Sequence, residues 1–189
     1  MTIYTRKGDD GTTGLLYGGR VRKDSLPIEA NGAVDEAQAV MGLARAEAEP
    51  GSELDELLIR LERDLYVLMA EVATAPENRS KLTAGASLVT AEMVAGLEPL
   101  IDTYTERFEM PTGFVVPGQN RAAAALDVAR TVVRRAERLA IGAMAGADDS
   151  HVVPYLNRLS DLLWTLARWQ DGESLPTRTT DPKNRKNKE

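Results

Sequence analysis

Apolar side chains recur at steps of three and four residues over most of this 189-residue chain, a spacing typical of helices that bury one face. The pattern predicts five helices, at about 29–49, 52–76, 89–108, 120–145 and 150–169. Ser52 and Ser150 are the expected N-caps of the second and fifth helices. Pro99 lies inside the third helix, where it predicts a kink or a break.

The helical pattern covers residues 28–170, and the short connections favour an all-α, five-helix antiparallel bundle. Two segments lie outside this pattern. Residues 1–27 are rich in Gly, Thr, Lys, Arg and Asp and have little helical periodicity. Residues 171–189 are rich in Pro, Thr and Lys, and we expect them to be disordered. No series of strands is predicted.

The composition restricts the chemistry that this chain can perform. It has no cysteine and one histidine, His151, so it cannot form disulfides, cysteine-ligated metal centres or a two-histidine metal site within one chain. We interpret His151 as structural. The net charge of −6 argues weakly against nucleic acid as the ligand. Without a membrane-spanning apolar run or a signal-peptide pattern, we expect a cytoplasmic protein with no membrane partner.

The N-terminal segment has two interpretations. Backbone N–H groups of a glycine-rich loop can form an anion-binding nest, and Arg6, Lys7 and Lys23 would add positive charge. The segment lacks the Gly-Lys-Thr ending of a Walker A loop. The alternative is a solvated, flexible N-terminus, and composition alone does not separate the two.

Arginines concentrate on one face of the fourth predicted helix, where Arg130, Arg134 and Arg138 are spaced by four residues. Like charges at this spacing repel, so the arrangement favours either a phosphate or carboxylate site or a solvated face with carboxylates nearby. Asp35 lies among apolar residues of the first helix, where partial burial would require a partner. An arginine of the fourth helix is the candidate.

A polar cluster lies on the fifth predicted helix, where Asn157, Ser160 and Asp161 share one face. Such side chains either hold a ligand or connect neighbouring helices by hydrogen bonds. Taken alone, the cluster favours the connection between helices.

In this order, these segments resemble the PduO-type ATP:cob(I)alamin adenosyltransferases over residues 3–169. The matching motifs are residues 4–13, 19–24, 32–36, 114–118, 129–138 and 155–161. The most specific are Ala-Arg-Thr-Val-Val-Arg-Arg-Ala-Glu-Arg at 129–138 and Tyr-Leu-Asn-Arg-Leu-Ser-Asp at 155–161. The resemblance implies a ferritin-like helical bundle that assembles as a homotrimer and binds ATP between adjacent subunits.

The resemblance also implies residue roles. The ATP contacts would be Thr5, Arg6, Lys7, Gly8, Thr13, Gly14 and Lys23 of the N-terminal ATP-binding segment 1–27, with Arg134, Arg135, Glu137, Arg138 and Asn157 of the neighbouring subunit. Asp35 and Arg130 would form an interface salt bridge beside the site and act with Arg134 in catalysis. Phe114 would face the lower side of the corrin ring.

The implied reaction transfers the adenosyl group of ATP to Co(I) of cobalamin, with Mg²⁺ and without assigned protein metal ligands. A reductase and an adenosylcobalamin-dependent client enzyme are the implied partners. Departures from the usual pattern are Gln119, Asp127 and Ala37-Gln38-Ala39; they leave the ATP set intact and affect the corrinoid pocket. The alternatives are a carrier that delivers adenosylcobalamin and a non-enzymatic helical interaction module.

Overall fold

The computed structural model describes residues 3–178. The α-helices of this part of the chain are α1 (Leu26–Ala46), α2 (Glu53–Val72), α3 (Ala91–Ala95), α4 (Glu98–Thr105), α5 (Arg121–Ala143) and α6 (Val152–Asp171). The strands are β1 (Thr12–Gly14), β2 (Arg20–Arg22), β3 (Val115–Val116) and β4 (Leu175–Pro176), and a 3-10 helix spans Pro76–Lys81. The predicted all-α helical bundle is therefore confirmed.

Helices α1, α5 and α6 form the centre of the bundle, with α2 packed on α1 and α4 on α6. Small side chains line the contact between α1 and α5, where Ala37, Ala129 and Ala136 are fully buried. Their size lets the two backbones approach closely. Leucines of α2 and α6 fill the remaining core, and each fully buried leucine contributes about 1.5–3 kcal/mol.

The helix boundaries follow local sequence signals. Ser52 caps α2 as predicted, accepting a hydrogen bond from the Asp55 backbone N–H at 3.3 Å. The predicted break at Pro99 is also confirmed, because α3 ends at Ala95 and α4 begins at Glu98 with Pro99 in its first turn. Ser150 lies one residue before the N-cap position of α6, yet its hydroxyl still accepts from the Val152 N–H at 3.3 Å.

Two short antiparallel ribbons occur where the sequence predicted no strands. Strand β1 pairs with β2 inside the N-terminal segment, and β3 pairs with β4. The second pairing corrects the expectation of a disordered tail from residue 171, because Leu175 and Pro176 lie in β4. The rest of that tail, 179–189, lies outside the described residues. None of the helices in residues 3–178 is long and apolar enough to cross a membrane.

Candidate active site

The N-terminal ribbon is held in shape by Arg20. Its Nη2 atom donates to the Lys7 carbonyl and to Thr12 Oγ1, both at 2.6 Å. The Asp10 carboxylate accepts from the backbone N–H and the hydroxyl of Thr12 at 2.9 and 2.8 Å. Farther along the ribbon, the Leu16 N–H donates to the Ala73 carbonyl at 2.8 Å and attaches the segment to the end of α2. The ribbon is therefore a defined structure from Lys7 onward.

Gly8 and Lys23 meet at the base of this ribbon. A Cβ atom on Gly8 would lie 3.0 Å from Lys23 Nζ and 3.1 Å from the Thr12 carbonyl oxygen, so a larger residue here would crowd both groups. The Lys23 N–H donates to the Gly11 carbonyl at 2.9 Å. Three residues assigned to ATP from the sequence, Thr5, Arg6 and Lys7, are exposed beside this pair, whereas Thr13 and Gly14 belong to β1. The ribbon therefore presents several cationic side chains to solvent.

The arginines of α5 have different partners. Arg135 forms an ion pair with Glu36 of α1, and Arg130 Nε lies 3.2 Å from Asp127 Oδ1. Arg138 Nη1 donates to the backbone carbonyl of Arg134 at 2.9 Å. The Arg134 side chain is exposed and forms no salt bridge within residues 3–178. Because Arg134 lies next to other arginines and has no carboxylate partner in this region, its guanidinium group is available for an anionic ligand.

Asp35 does not pair as expected within one chain. Its side chain is exposed, and Glu36 rather than Asp35 contacts an arginine of α5. The helical turn explains the difference, because consecutive residues of a helix point in directions about 100° apart. The expectation that Asp35 is partly buried is therefore wrong for the single chain, and its proposed pairing with Arg130 of a neighbouring subunit stays a prediction.

Within the polar cluster of α6, Asn157 connects two helices, whereas the contacts of Ser160 and Asp161 stay within α6. Asn157 Nδ2 donates to Glu137 Oε1 of α5 at 3.0 Å, so two residues assigned to the nucleotide lie side by side. Ser160 donates within its own helix to the Asn157 carbonyl at 2.9 Å. Asp161 lies 3.4 Å from Arg158. The α5 and α6 motifs thus form one continuous surface.

Phe114 lies at the mouth of a cavity of about 540 Å³. The residue is 88% exposed, an unfavourable position for a large apolar side chain in a folded protein. The Thr177 N–H donates to the Phe114 carbonyl at 2.9 Å, which continues the β3–β4 pairing up to Phe114 and braces the loop. The cavity walls include Trp164 and Arg130. An exposed ring on a braced loop suits a flat apolar ligand.

Sequence reasoning missed a buried ion cluster that begins in the wall of this cavity with Asp127 and Arg168. Arg168 is 1% exposed, and its Nη2 atom lies 2.5 Å from Asp127 Oδ2 and 2.9 Å from Asp171 Oδ2. Burial raises the pKa of the Asp171 carboxyl, and the Arg168 charge opposes that rise. Arg168 and Asp171 are three residues apart, a spacing that signals an ion pair on a helix. Only the fold brings Asp127 to them.

The N-terminal ribbon and the α5–α6 residues assigned to ATP share no polar contact within residues 3–178. Among residues 3–178, no hydrogen bond or salt bridge joins the N-terminal ribbon to Arg134, Arg138 or Asn157. The same region contains no group of three or more His, Asp or Glu side chains that could hold a metal ion. Within one chain, the two groups of residues assigned to ATP are therefore not joined by a polar contact among residues 3–178.

Comparison with known proteins identifies the family to which these features belong. Residues 3–170 match the family model described as cobalamin adenosyltransferase. The chain is a member of this family. That match spans nearly all the described residues, including the N-terminal ribbon, the α5 arginines and the Phe114 loop.

Two named relatives support the assignment to the cobalamin adenosyltransferases. The corrinoid adenosyltransferase of Bacillus subtilis is 39% identical over 173 residues, covering 89% of this chain and 86% of the relative. That of Mycobacterium bovis is 40% identical over 169 residues, covering 88% and 86%.

A solved structure extends the likeness to the fold. It is a variant of the PduO-type ATP:corrinoid adenosyltransferase from Lactobacillus reuteri, complexed with cobalamin and ATP. Its TM-score is 0.83 at 27% identity, and the match covers 94% of this chain and 97% of that one. This cobalamin adenosyltransferase and its solved relative therefore share the helical bundle.

Proposed function

We propose that this chain transfers the 5′-deoxyadenosyl group of ATP to Co(I) of cobalamin, producing adenosylcobalamin and triphosphate. The observation that carries the proposal is the exposed arginine face of α5, with Arg134 free of any carboxylate partner within residues 3–178. Named corrinoid adenosyltransferases at about two-fifths identity and a solved relative holding both ATP and cobalamin support the same reaction.

The N-terminal ribbon would hold ATP. Its exposed cationic side chains and its braced backbone suit the triphosphate, because charge-assisted hydrogen bonds to phosphate are among the stronger polar contacts. The ribbon residues assigned to ATP are Thr5, Arg6, Lys7, Gly8, Thr13, Gly14 and Lys23. Gly8 contributes through its missing side chain, which lets Lys23 approach the loop.

The α5–α6 surface would stabilise the leaving triphosphate. Nucleophilic attack on the 5′ carbon forms a cobalt–carbon bond, and the electron pair of the broken carbon–oxygen bond goes to triphosphate. Arg134, Arg135 and Arg138 would offset the charge that develops there. Glu137 and Asn157 would orient the nucleotide through the hydrogen bond that they share.

No protein base is needed in this reaction. Co(I) is a strong nucleophile, and the reacting carbon loses no proton. The protein has to align the two substrates and keep water out, and alignment alone lowers the barrier substantially. This requirement agrees with a chain that has one histidine and no cysteine.

Phe114 would face the lower side of the corrin ring. An aromatic ring has no lone pair able to ligate cobalt, and its bulk keeps water and the cofactor's own base away. Cobalt without a lower axial ligand is easier to reduce from Co(II) to Co(I). The 88% exposure of the residue and the adjacent cavity support this placement. The cofactor carries the reaction, and the protein adjusts its coordination.

The complete site would form between subunits of a homotrimer. The N-terminal ribbon of one chain and the α5 arginines of its neighbour would then meet around ATP. The lack of contact between these groups among residues 3–178 supports this arrangement. Asp35, exposed on α1, would pair with Arg130 of the adjacent subunit beside the site.

Magnesium would enter with the nucleotide. Mg²⁺ commonly keeps several waters and binds substrate phosphates with one or two carboxylates, which agrees with the lack of a carboxylate cage in the described region. A cytoplasmic location, an electron-donating reductase and a client enzyme that receives adenosylcobalamin complete the proposal.

The direct test is a spectroscopic assay. The protein is mixed with ATP, Mg²⁺, cobalamin and a reductant, and the visible spectrum is followed. A photolabile adenosylcobalamin product, with one triphosphate released per turnover, supports the proposal. A carrier would bind preformed adenosylcobalamin without making it, and an interaction module would leave the cobalamin spectrum unchanged.

A further inference from the structure

A series of ion pairs begins at the wall of the Phe114 cavity, which includes Asp127, Arg130 and Arg168, and ends at Asp171. Arg130 Nε lies 3.2 Å from Asp127 Oδ1, and the second oxygen of Asp127 lies 2.5 Å from Arg168 Nη2. Arg168 then reaches Asp171 Oδ2 at 2.9 Å. Each oxygen of Asp127 therefore holds a different arginine. With two carboxylates and two guanidinium groups, the cluster is charge-balanced.

Asp127 determines how Arg130 is presented. The carboxylate takes the Nε edge of the guanidinium, and the terminal Nη atoms form no hydrogen bond or salt bridge within residues 3–178. Both residues line the cavity, and the Arg130 side chain is 29% exposed. An arginine has five donors in a rigid fork, so fixing one edge orients the other.

The other end of this series of ion pairs, Asp171, lies close in sequence to the strand that braces the Phe114 loop. Asp171 ends α6, and Gly172 follows with a φ of 71°, which turns the backbone toward β4. Strand β4 pairs with β3, and the Thr177 N–H donates to the Phe114 carbonyl at 2.9 Å. The buried ion pairs thus join Arg130 to the segment that braces Phe114.

We propose that Asp127 is a positioning residue, which holds Arg130 at the Phe114 cavity and, through Arg168 and Asp171, aligns that arginine with the Phe114 loop. The inference rests on the proposed function and adds a role to a residue outside the expected catalytic and binding sets. Without Asp127, Arg130 would regain its side-chain freedom, and the buried Arg168 would keep only Asp171.

The test compares Asp127→Asn with a matched control, Asp102→Asn, at an exposed position of α4. In Asp127→Asn, we expect kcat/KM for cobalamin to fall about tenfold, because the charge-assisted contact that orients Arg130 is lost. The Kd for ATP, measured by calorimetry without cobalamin, should change less than about threefold. The electron paramagnetic resonance signal of Co(II) cobalamin without an axial ligand, recorded with Mg-ATP, should also weaken. The control should match the wild type in all three measurements.

A second variant separates positioning from folding. Arg130→Lys keeps the charge but lacks the Nε donor, so it should reproduce the selective loss toward cobalamin while leaving Arg168 paired. In a double-mutant cycle, Asp127→Asn should add little to Arg130→Lys if both act through the same contact.

The outcomes distinguish this inference from the proposed function. If the wild type forms product and the Asp127→Asn variant has the same kcat/KM for cobalamin, the inference about Asp127 is overturned and the proposed function stands. Parallel losses toward ATP and cobalamin, or additive effects in the cycle, would also overturn it, since they indicate a general structural role. A wild type that neither binds cobalamin nor forms product would refute the proposed function, and the inference with it.

Discussion

At the scale of single residues, the arginines of α5 differ in what balances their charge. Arg135 has Glu36 and Arg130 has Asp127, whereas Arg134 has no carboxylate partner within residues 3–178. Arg138 donates to the Arg134 backbone carbonyl. Repulsion between side chains four residues apart makes such a row unfavourable in the free protein. A bound polyanion would remove that cost, so Arg134 is expected to contribute more to turnover than to folding.

Replacing Arg134 with alanine should therefore cripple catalysis. Removing one charge-assisted contact to a developing anion typically costs about 2.7–4 kcal/mol of barrier, a loss of about a hundredfold or more in kcat. The melting temperature should stay near that of the wild type, because the side chain is exposed. Arg121→Ala is the matched control, since Arg121 lies on the same helix with its side chain 85% exposed. A soluble Arg134→Ala protein with wild-type turnover would refute this role.

Phe114→His should change cobalt coordination more than cobalamin affinity. A histidine at this position would offer a ligand where the aromatic ring offers none, so Co(II) should stay five-coordinate and resist reduction. Electron paramagnetic resonance of Co(II) cobalamin with Mg-ATP measures the coordination directly. Supplying pre-reduced Co(I) should restore much of the activity. Phe114→Leu, which excludes water without adding a ligand, is the control; identical spectra for the wild type and Phe114→His would place Phe114 away from the corrin ring.

At the scale of elements, the N-terminal ribbon has a hydrogen-bonded part from Lys7 onward, preceded by residues with exposed side chains. Arg20, Thr12 and Asp10 hold the backbone from Lys7 onward, and Leu16 attaches it to α2. The side chains of residues 3–6 are exposed, and Arg6 adopts a positive φ of 59°, which is uncommon for a residue with a side chain. Such a segment has little apolar contact to hold it, so ligand contacts would decide its order.

Mg-ATP should therefore protect the N-terminal segment from proteolysis. Fixing a backbone costs about 1–2 kcal/mol per residue, and phosphate contacts by Arg6 and Lys7 would offset this cost. Tryptic cleavage after these residues, followed by mass spectrometry, should slow when Mg-ATP is added. Adenosine, which lacks phosphates, is the control and should protect little. Equal cleavage with and without Mg-ATP would mean that the ribbon does not bind the triphosphate.

At the scale of the whole molecule, assembly of subunits would cover charged and apolar side chains of α1 and α5 that are exposed in one chain. Asp35 is exposed on α1, and the terminal nitrogens of Arg130 have no partner within residues 3–178. Large apolar side chains are also exposed on the same two helices, including Leu43 at 62%, Val128 at 51% and Ile141 at 60%. Burial of these helices between subunits would cover that apolar surface and bring the two charges together.

Asp35 and Arg130 should therefore be energetically coupled in the assembled protein. If they pair across a buried interface, removing either partner leaves an isolated charge and costs about 3–5 kcal/mol. Asp35→Asn and Arg130→Met should each weaken the trimer, and the double variant should cost less than their sum. Sedimentation equilibrium of the four proteins measures the cycle. Strictly additive effects would show that the two residues do not interact.

Local patterning was enough to predict where the helices lie, with ends that differ from the observed ones by a few residues. The apolar periodicity located the bundle helices, Ser52 indicated the start of α2, and Pro99 indicated the break that separates α3 from α4. These features depend on residues within a few positions of one another. The resemblance carried by the motifs at 129–138 and 155–161 assigned Glu137 and Asn157 to the same nucleotide, and the structure shows that these two side chains are hydrogen-bonded.

The tertiary structure alone decided the pairings between distant segments. Sequence spacing could not indicate that Asp127 would contact Arg168, or that a tail expected to be disordered would supply β4 to the Phe114 loop. Nor could it indicate that Glu36, rather than its neighbour Asp35, would face Arg135. The periodicity along a helix determines which face is apolar, but the rotation and register of packed helices determine which polar residues meet.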